Sequence, residues 1–496
     1  MTQINIPVNP FVPDAYIETV APPPVVTGAV TDKIGVVGTA SWGPVNAPTP
    51  ISPRNFAQVF GPVKARTFDL GTAITAAGLA GANNFTAVRV TDGTDAAATV
   101  VIGTTGVTIT SKYSGTLANS DTVTIAAGSA ASSVKVTIAR PGYAPEVFDN
   151  ITGTGNALWV NIAAAINGGQ SGVRGPSNLV VATAGASTSA PTNGTSTLTG
   201  GTDGVATITT AVMVGVDTGT RTGMYALRGT GPGVMFLADL SDYTSFASQI
   251  SFCLQEGFYG IGVGPAGEYS NLSTVASNLA TAGSDSFAFK VLVGDWAYFL
   301  DTTNGNVPRM ISPQGFAAGE LASLLPFNSG LNKPIGGIVG TQKSYANQQY
   351  SVADLQTIGQ GRLDLICNPC PGGNYFGLRF GKNCSSNAAT NLDNYSRMIP
   401  YLEYSFNTVA GQFVGQVITK DQANDAIACF QDFLTGLKNA KPVSWIRAFS
   451  VAIDLSQQTT GYEILNVQVQ LRSIVLFFVV NLQAGQTVQI TTSPAA

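Results

Sequence analysis

The stretch Ile474-Val475-Leu476-Phe477-Phe478-Val479-Val480, with Gln486-Thr487-Val488-Gln489-Ile490-Thr491 a few residues later, decides how this chain is read. The first part is an unbroken apolar run. In the second, Val488 and Ile490 alternate with polar residues, the pattern of a half-buried β-strand. No Asp, Glu, Lys or Arg occurs from Ser473 to Ala496, and Arg472 is the last charge. A strand without charge or internal proline offers its backbone to any edge it meets. It therefore closes a sheet of its own chain, or it is given to the sheet of a neighbour.

Composition sharpens that choice. At 496 residues the chain is too long for one ordinary core, and two to four domains are expected. Charged residues make up 10% of it, against roughly a quarter in ordinary soluble domains. With 24 Lys+Arg, 28 Asp+Glu and 56 glycines, the surface is poor at resisting association. That favours a subunit covered by copies of itself over a large β-rich monomer with a neutral surface. A net charge of −4 with scattered basic residues gives no nucleic-acid footprint. Asn481 and Gln483 end the longest apolar run well short of the ~18 residues that span a bilayer. The first residues lack the pattern of a secretory signal, and five scattered cysteines suit a reducing compartment better than a disulfide framework. The absence of histidine removes the commonest general base and metal ligand.

Residues 1–25 hold six prolines and only Asp14 and Glu18 as charged side chains, so an extended segment is expected. Ile4, Ile6 and Val8 alternate as an edge strand would. The segment is either a loose tail or an arm lying on another subunit. Ile34–Ala40 reads as a buried strand. Ser52 is the expected N-cap of a short helix over Asn55–Gly61, and Thr72–Leu79 and Ala87–Val90 follow as helix and strand.

Gly35-x-x-Gly38-Thr39-Ala40-x-x-Gly43-Pro44-x-Asn46-x-Pro48, followed by Ser52, Phe56 and Phe60-Gly61, resembles the opening of contractile tail sheath proteins of myophages and related contractile injection particles. The resemblance resumes in the C-terminal third. Between lie residues 92–203, rich in Thr, Ser, Gly and Ala, with alternating strands at Val107–Thr110, Thr122–Ile125 and Val134–Ile138 and one helical piece at Leu158–Ile166. They read as an inserted β-rich domain, which the resemblance puts on the outer surface.

An α/β pattern returns in residues 204–390. Strands are expected at Val234–Ala238, Gly260–Val263, Ala288–Val293 and Leu363–Cys367. Helices are expected at Tyr243–Gly257 (with apolar Phe246, Ile250 and Leu254), Leu272–Ala282, Phe316–Leu325 and Tyr345–Ile358. Residues 26–91 and 204–390 thus form a mixed α/β core. Residues 391–472 form an α+β domain. Its helices run from Asp393 to Ser405 and, capped by Thr419 and Gln422, to Leu437, with Ile427, Phe430, Leu434 and Leu437 on one face. Its strands lie near Trp445–Asp454 and Glu463–Leu471, where Val467, Val469 and Leu471 alternate with glutamines. Two strands and two helices are too little sheet to stand alone, and an added strand would complete it. Residues 473–496 form the C-terminal arm.

Two motifs tempt towards chemistry. Gly262-Val263-Gly264-Pro265-Ala266-Gly267 fits the dinucleotide fingerprint after a strand. Pro265 removes a backbone donor, however, and Asp295 stands further on than the fingerprint requires, so a structural turn is the better account. Cys367-Asn368-Pro369-Cys370, with Cys384 and Cys429 elsewhere, lacks a second pair for zinc, and Pro371-Gly372-Gly373 denies it the helix of a redox site. No catalytic, cofactor-binding or metal-binding residues are expected.

The resemblance implies a structural subunit polymerising in stacked rings around a tail tube, with tube, baseplate and tail terminator proteins as partners. It implies no nucleic acid or membrane contact, and a place in the virion after assembly in the host cytoplasm. It also implies that neighbouring arms join the C-terminal domain's sheet, which makes Ile4, Ile6, Val8, Val467, Val469, Leu471, Val488 and Ile490 the candidate strand-exchange residues. A nucleotide-binding α/β enzyme and another self-assembling shell protein are the competing readings.

Overall fold

A computed structural model describes residues 28–454, 456, 461–480 and 482. Its centre is a six-stranded sheet. The spatial order is Phe289–Leu292, Phe258–Val263, Gly233–Leu237, Lys33–Gly38, Asn84–Arg89 and Thr49–Ile51. Its first five strands run parallel, and Thr49–Ile51 closes one edge antiparallel to Asn84–Arg89. Parallel strands need crossovers that cover both faces, which explains their near-continuous apolar sequences. Ile34, Val36, Phe85 and Phe236 pack on one side against helices Leu70–Leu79 and Gln314–Ser323. Val37, Val88, Met235 and Phe289 pack on the other against Phe246–Glu256, Leu272–Thr281 and Val352–Gln360. The mixed, doubly covered core is as expected.

The first layer is unusually close. A Cβ on Gly319 would stand 2.3 Å from the Ala77 carbonyl oxygen, and one on Gly315 would stand 2.9 Å from that of Ala73. Two glycines one turn apart let the two helices touch backbone to backbone.

Local signals account for most departures from expectation. The helix expected over Tyr345–Ile358 is two, Gln342–Tyr345 and Val352–Gln360, because Thr341 and Ser351 each build their own capping box. The strand expected over Leu363–Cys367 is only Ile366–Cys367, and ahead of it Asp364 pairs singly with Leu292 as an isolated parallel bridge, its carboxylate accepting the Gly381 N–H. Ser52 is not an N-cap. Asn55 precedes helix Phe56–Phe60 and its side chain accepts the Ser52 N–H instead. Leu254 is exposed, on the outer side of its helix. A three-stranded antiparallel sheet of Ala297–Asp301, Val307–Ile311 and Ile338–Thr341 had no clear signal in the sequence.

Within residues 92–203, sheets of three and four strands enclose helix Asn156–Gly168, whose Trp159, Ile162 and Ile166 are fully buried. The chain enters and leaves side by side. The Asp92 N–H donates to the Gly204 carbonyl at 2.8 Å, and Ala96 pairs with Thr202. The insert is also bolted to the core. Trp42, from the core's first loop, sits in the insert's hydrophobic cluster under the Arg140 guanidinium, 4.0 Å from its ring, and Arg140 holds Asp121 through two 2.7 Å bonds. Arg89, fully buried at the end of a core strand, donates to the carbonyls of Gly43, Ser114 and Asp203.

Candidate assembly surface

The C-terminal domain consists of helices Asp393–Ala410 and Lys420–Asn439 and the antiparallel hairpin Ile446–Asp454 with Ile464–Leu471. Leu465, Val467, Val469 and Leu471 face the helices, and Ile464, Asn466, Gln468 and Gln470 face out. Val467 lies opposite Val451, and Val469 opposite Phe449. Beneath them Met398, Leu402, Leu434 and Leu437 form a small core rimmed by Phe406, Phe433 and Trp445. Thr419 caps the second helix at the Gln422 N–H. The expected reciprocal bond is absent, because the Gln422 amide reaches Glu463 instead, at 2.9 Å, and ties helix to hairpin.

The structure therefore brings Val467, Val469 and Leu471 together on the inner face of their own subunit. Ile4, Ile6, Val8, Val488 and Ile490 lie outside the described residues, as do residues 1–27 and 483–496. Among the described residues each hairpin strand has one partner strand, so both outer edges carry backbone groups with no ladder. Past the hairpin, Phe477 and Phe478 are 86% and 85% exposed, and Val475, Val479, Val480 and Leu482 are exposed beside them. Such a continuous apolar run on a surface marks a contact face.

A buried charge network joins this domain to the core, and sequence reasoning missed it. Lys290, fully buried, is ion-paired with Asp364 and lies 3.1 Å from Asp393, in the first turn of helix Asp393–Ala410. Tyr259, on the neighbouring strand, donates its hydroxyl to Asp393 at 2.6 Å. Burial opposes the Lys290 ammonium, but the two carboxylates outweigh it and hold its pKa above the ordinary value. One turn on, Arg397 donates to the carbonyls of Leu324 and Leu325. The available signal was a lysine inside the apolar strand Ala288–Val293, since a lysine is almost never buried unpaired.

The glycine loop carries no anion cradle. The Gly264 N–H donates to the Leu292 carbonyl, and the Gly267 N–H to the Gly294 carbonyl and the Gln342 side chain. The Glu268 carboxylate, held by the Tyr243 hydroxyl at 2.5 Å, lies where a Cβ on Gly264 would meet it at 1.7 Å. Its negative charge occupies the place a phosphate would need. Asp295 accepts from the Lys343 N–H and the Tyr350 hydroxyl. Cys367 and Cys370 are buried, and the Cys370 thiol donates to the Cys367 carbonyl. Among the described residues no three Cys, Asp or Glu side chains are placed to hold a metal ion, and no helix is long and apolar enough to cross a membrane.

The mixed α/β fold, with its several sheets, matches the fold of contractile tail sheath proteins. The chain is similar to the sheath tail protein of Listeria innocua, with a TM-score of 0.61 and 13% identity, over 90% of this chain and 96% of that one. It is similar to the sheath tail protein of Desulfitobacterium hafniense, with a TM-score of 0.59 and 13% identity, over 92% of this chain and all of that one. Against the sheath complex of PVC, an extracellular contractile injection system in its contracted state, the TM-score is 0.53 at 9% identity, over 97% and 99% of the two chains. No family model and no curated protein sequence matches, so the kinship is one of shape.

Proposed function

We propose that the chain is the structural subunit of a contractile tail sheath, polymerising helically around a tail tube and contracting to drive the tube through a target envelope. The observation that carries this reading is the C-terminal hairpin, a two-stranded sheet with both edges unpaired among the described residues beside an exposed apolar run, on a chain with the sheath fold. Strand addition would extend that hairpin. Backbone hydrogen bonds supply the affinity, and the alternation of Ile4, Ile6 and Val8, or of Val488 and Ile490, supplies the register. Because Val467, Val469 and Leu471 already pack on their own helices, their part is to hold the acceptor strand flat. Each copy gives to the next and receives from another, a heterologous contact that builds open helical assemblies.

In this reading residues 1–25 and 473–496 are arms, and residues 92–203 stand on the outer surface. The tail tube, baseplate and tail terminator proteins are the partners, and the particle is a virion tail or a related injection device assembled in the host cytoplasm. The role is not enzymatic. Energy is stored during assembly and released as subunits re-pack as rigid bodies.

Negative-stain microscopy of the purified chain tests the proposal. Helical tubes or stacked rings are expected, whereas flat lattices would favour a different shell and monodisperse monomers would sink the reading. Deleting Ser473–Ala496 should leave folded chains that form no tubes, and tubes from the truncated chain would rule out donation of that arm.

A further inference from the structure

Four residues beyond the hairpin the chain borders an open groove of about 890 Å³. It is lined by Leu355 of helix Val352–Gln360, by Leu331 and Phe380, and by Val475 and Leu476 of the apolar run. Two cations, Arg379 and Lys382, stand in its lining, and neither is ion-paired with a carboxylate among the described residues. The groove is therefore mostly apolar and carries two cations, and one part of its lining follows the hairpin strand that ends at Leu471.

The two terminal segments of the chain lie outside the described residues, and charge separates them as occupants. Residues 483–496 carry no charge and offer nothing to Arg379 and Lys382. Residues 1–27 carry only Asp14 and Glu18, with Phe11, Tyr16 and Ile17 around them. Apolar side chains interspersed with two anions complement an apolar groove flanked by two cations. If Ile4 to Val8 of a second copy adds to the hairpin edge, Pro10 ends the strand and leaves the following residues free to make side-chain contacts.

We propose that this groove receives residues 11–18 of a second copy of the chain, with Asp14 and Glu18 facing Arg379 and Lys382 and with Phe11 and Ile17 against Leu355 and Phe380. The inference rests on the sheath reading and deepens it. The incoming arm is held at two places, by backbone pairing on the hairpin and by side chains in the groove. The groove then supplies the selectivity that a bare strand edge lacks, since it accepts an acidic arm and rejects the uncharged one.

Charge exchange in the full-length chain tests this. Arg379→Glu with Lys382→Glu, and separately Asp14→Lys with Glu18→Lys, should each raise the concentration needed for polymer by about tenfold, the effect of two exposed ion pairs together. Combining all four should restore the parent's behaviour. Polymerisation unaffected by either pair, or unrestored by the combination in chains whose circular dichroism matches the parent, would overturn the proposal. Parent chains that form no polymer at all would count against the sheath reading instead, and a cross-link then decides the groove. Ile17→Cys chains mixed with Leu355→Cys chains should give disulfide-linked heterodimers. Their absence, or closure of the double variant into cross-linked monomers, would show that the arm of a second copy does not occupy the groove.

Discussion

Lys290 shows what a single residue can conceal and reveal. It is one of 24 basic residues, it lies in an apolar strand, and it joins that strand and Asp364 to the first turn of helix Asp393–Ala410. Replacing Asp393 with Ala would leave the ammonium with Asp364 alone and strand the Tyr259 hydroxyl. Breaking a buried pair from one side costs about 3–5 kcal/mol, so a much lower urea unfolding midpoint is expected. Glu320 makes a different prediction. It is 6% exposed, and burial pushes its pKa from 4.5 up to about 7 despite Lys333 and Arg397. An acid with a raised folded pKa keeps its proton in the native state after the unfolded chain has lost it. Its contribution therefore declines by about 1.4 kcal/mol per unit as pH rises from 4.5 towards 7, and the loss persists above. Glu320→Gln should gain melting temperature over the parent at pH 8 and little at pH 4.5, and equal shifts at both would refute this titration. In the sequence Lys290 stands out only as a lysine within an apolar strand, and Glu320 not at all, because a partner 74 positions away leaves no local periodicity. By contrast, Glu268 explains why the Gly262–Gly267 motif misleads. The pattern reports a tight turn after a strand, and only the fold shows whose carboxylate fills it. A thermal shift with ATP or NAD is not expected.

At the scale of elements the sequence was most legible where one period ruled. The parallel strands, with both faces buried, read as short apolar runs, and the insert's strands read as strict alternation. Legibility failed where a short local signal outweighed the period, as at Ser351, whose capping box starts a new helix inside a stretch that reads as one. It failed again at Ala297–Ile311, a hairpin that borrows half its burial from elsewhere. The contact between helices Leu70–Leu79 and Gln314–Ser323 was illegible for another reason, since glycine in a helix looks like a weakness until the neighbour is known. Gly319→Leu should destabilise by roughly 1–3 kcal/mol or more, because an added side chain has only the Ala77 backbone to push against. Unfolding in urea at an unchanged midpoint would mean that the helices can part without loss. Of the candidate strand-exchange residues, only those of the hairpin are among the described residues. Val467, Val469 and Leu471 lie together on one strand face, but alternation cannot tell a face turned to its own helices from one turned to a partner.

For the whole molecule, the insert's attachment matters most. Arg89 and Arg140 with Trp42 weld two hydrophobic clusters, so residues 92–203 should move with the core rather than swing from it. Arg89→Ala removes three buried donations and should make the junction the first site of limited proteolysis, and cleavage elsewhere first would argue against that weld. The crossing itself has a further consequence. With Asp92 and Gly204 one hydrogen bond apart, the core sees the whole insert as a single short loop. A foreign domain with closely spaced ends could be spliced between Ala96 and Thr202, provided Trp42 is made polar and an acceptor is kept for Arg89. If the chain builds a repeating tube, that junction is a docking port for cargo, repeated once per subunit along its length.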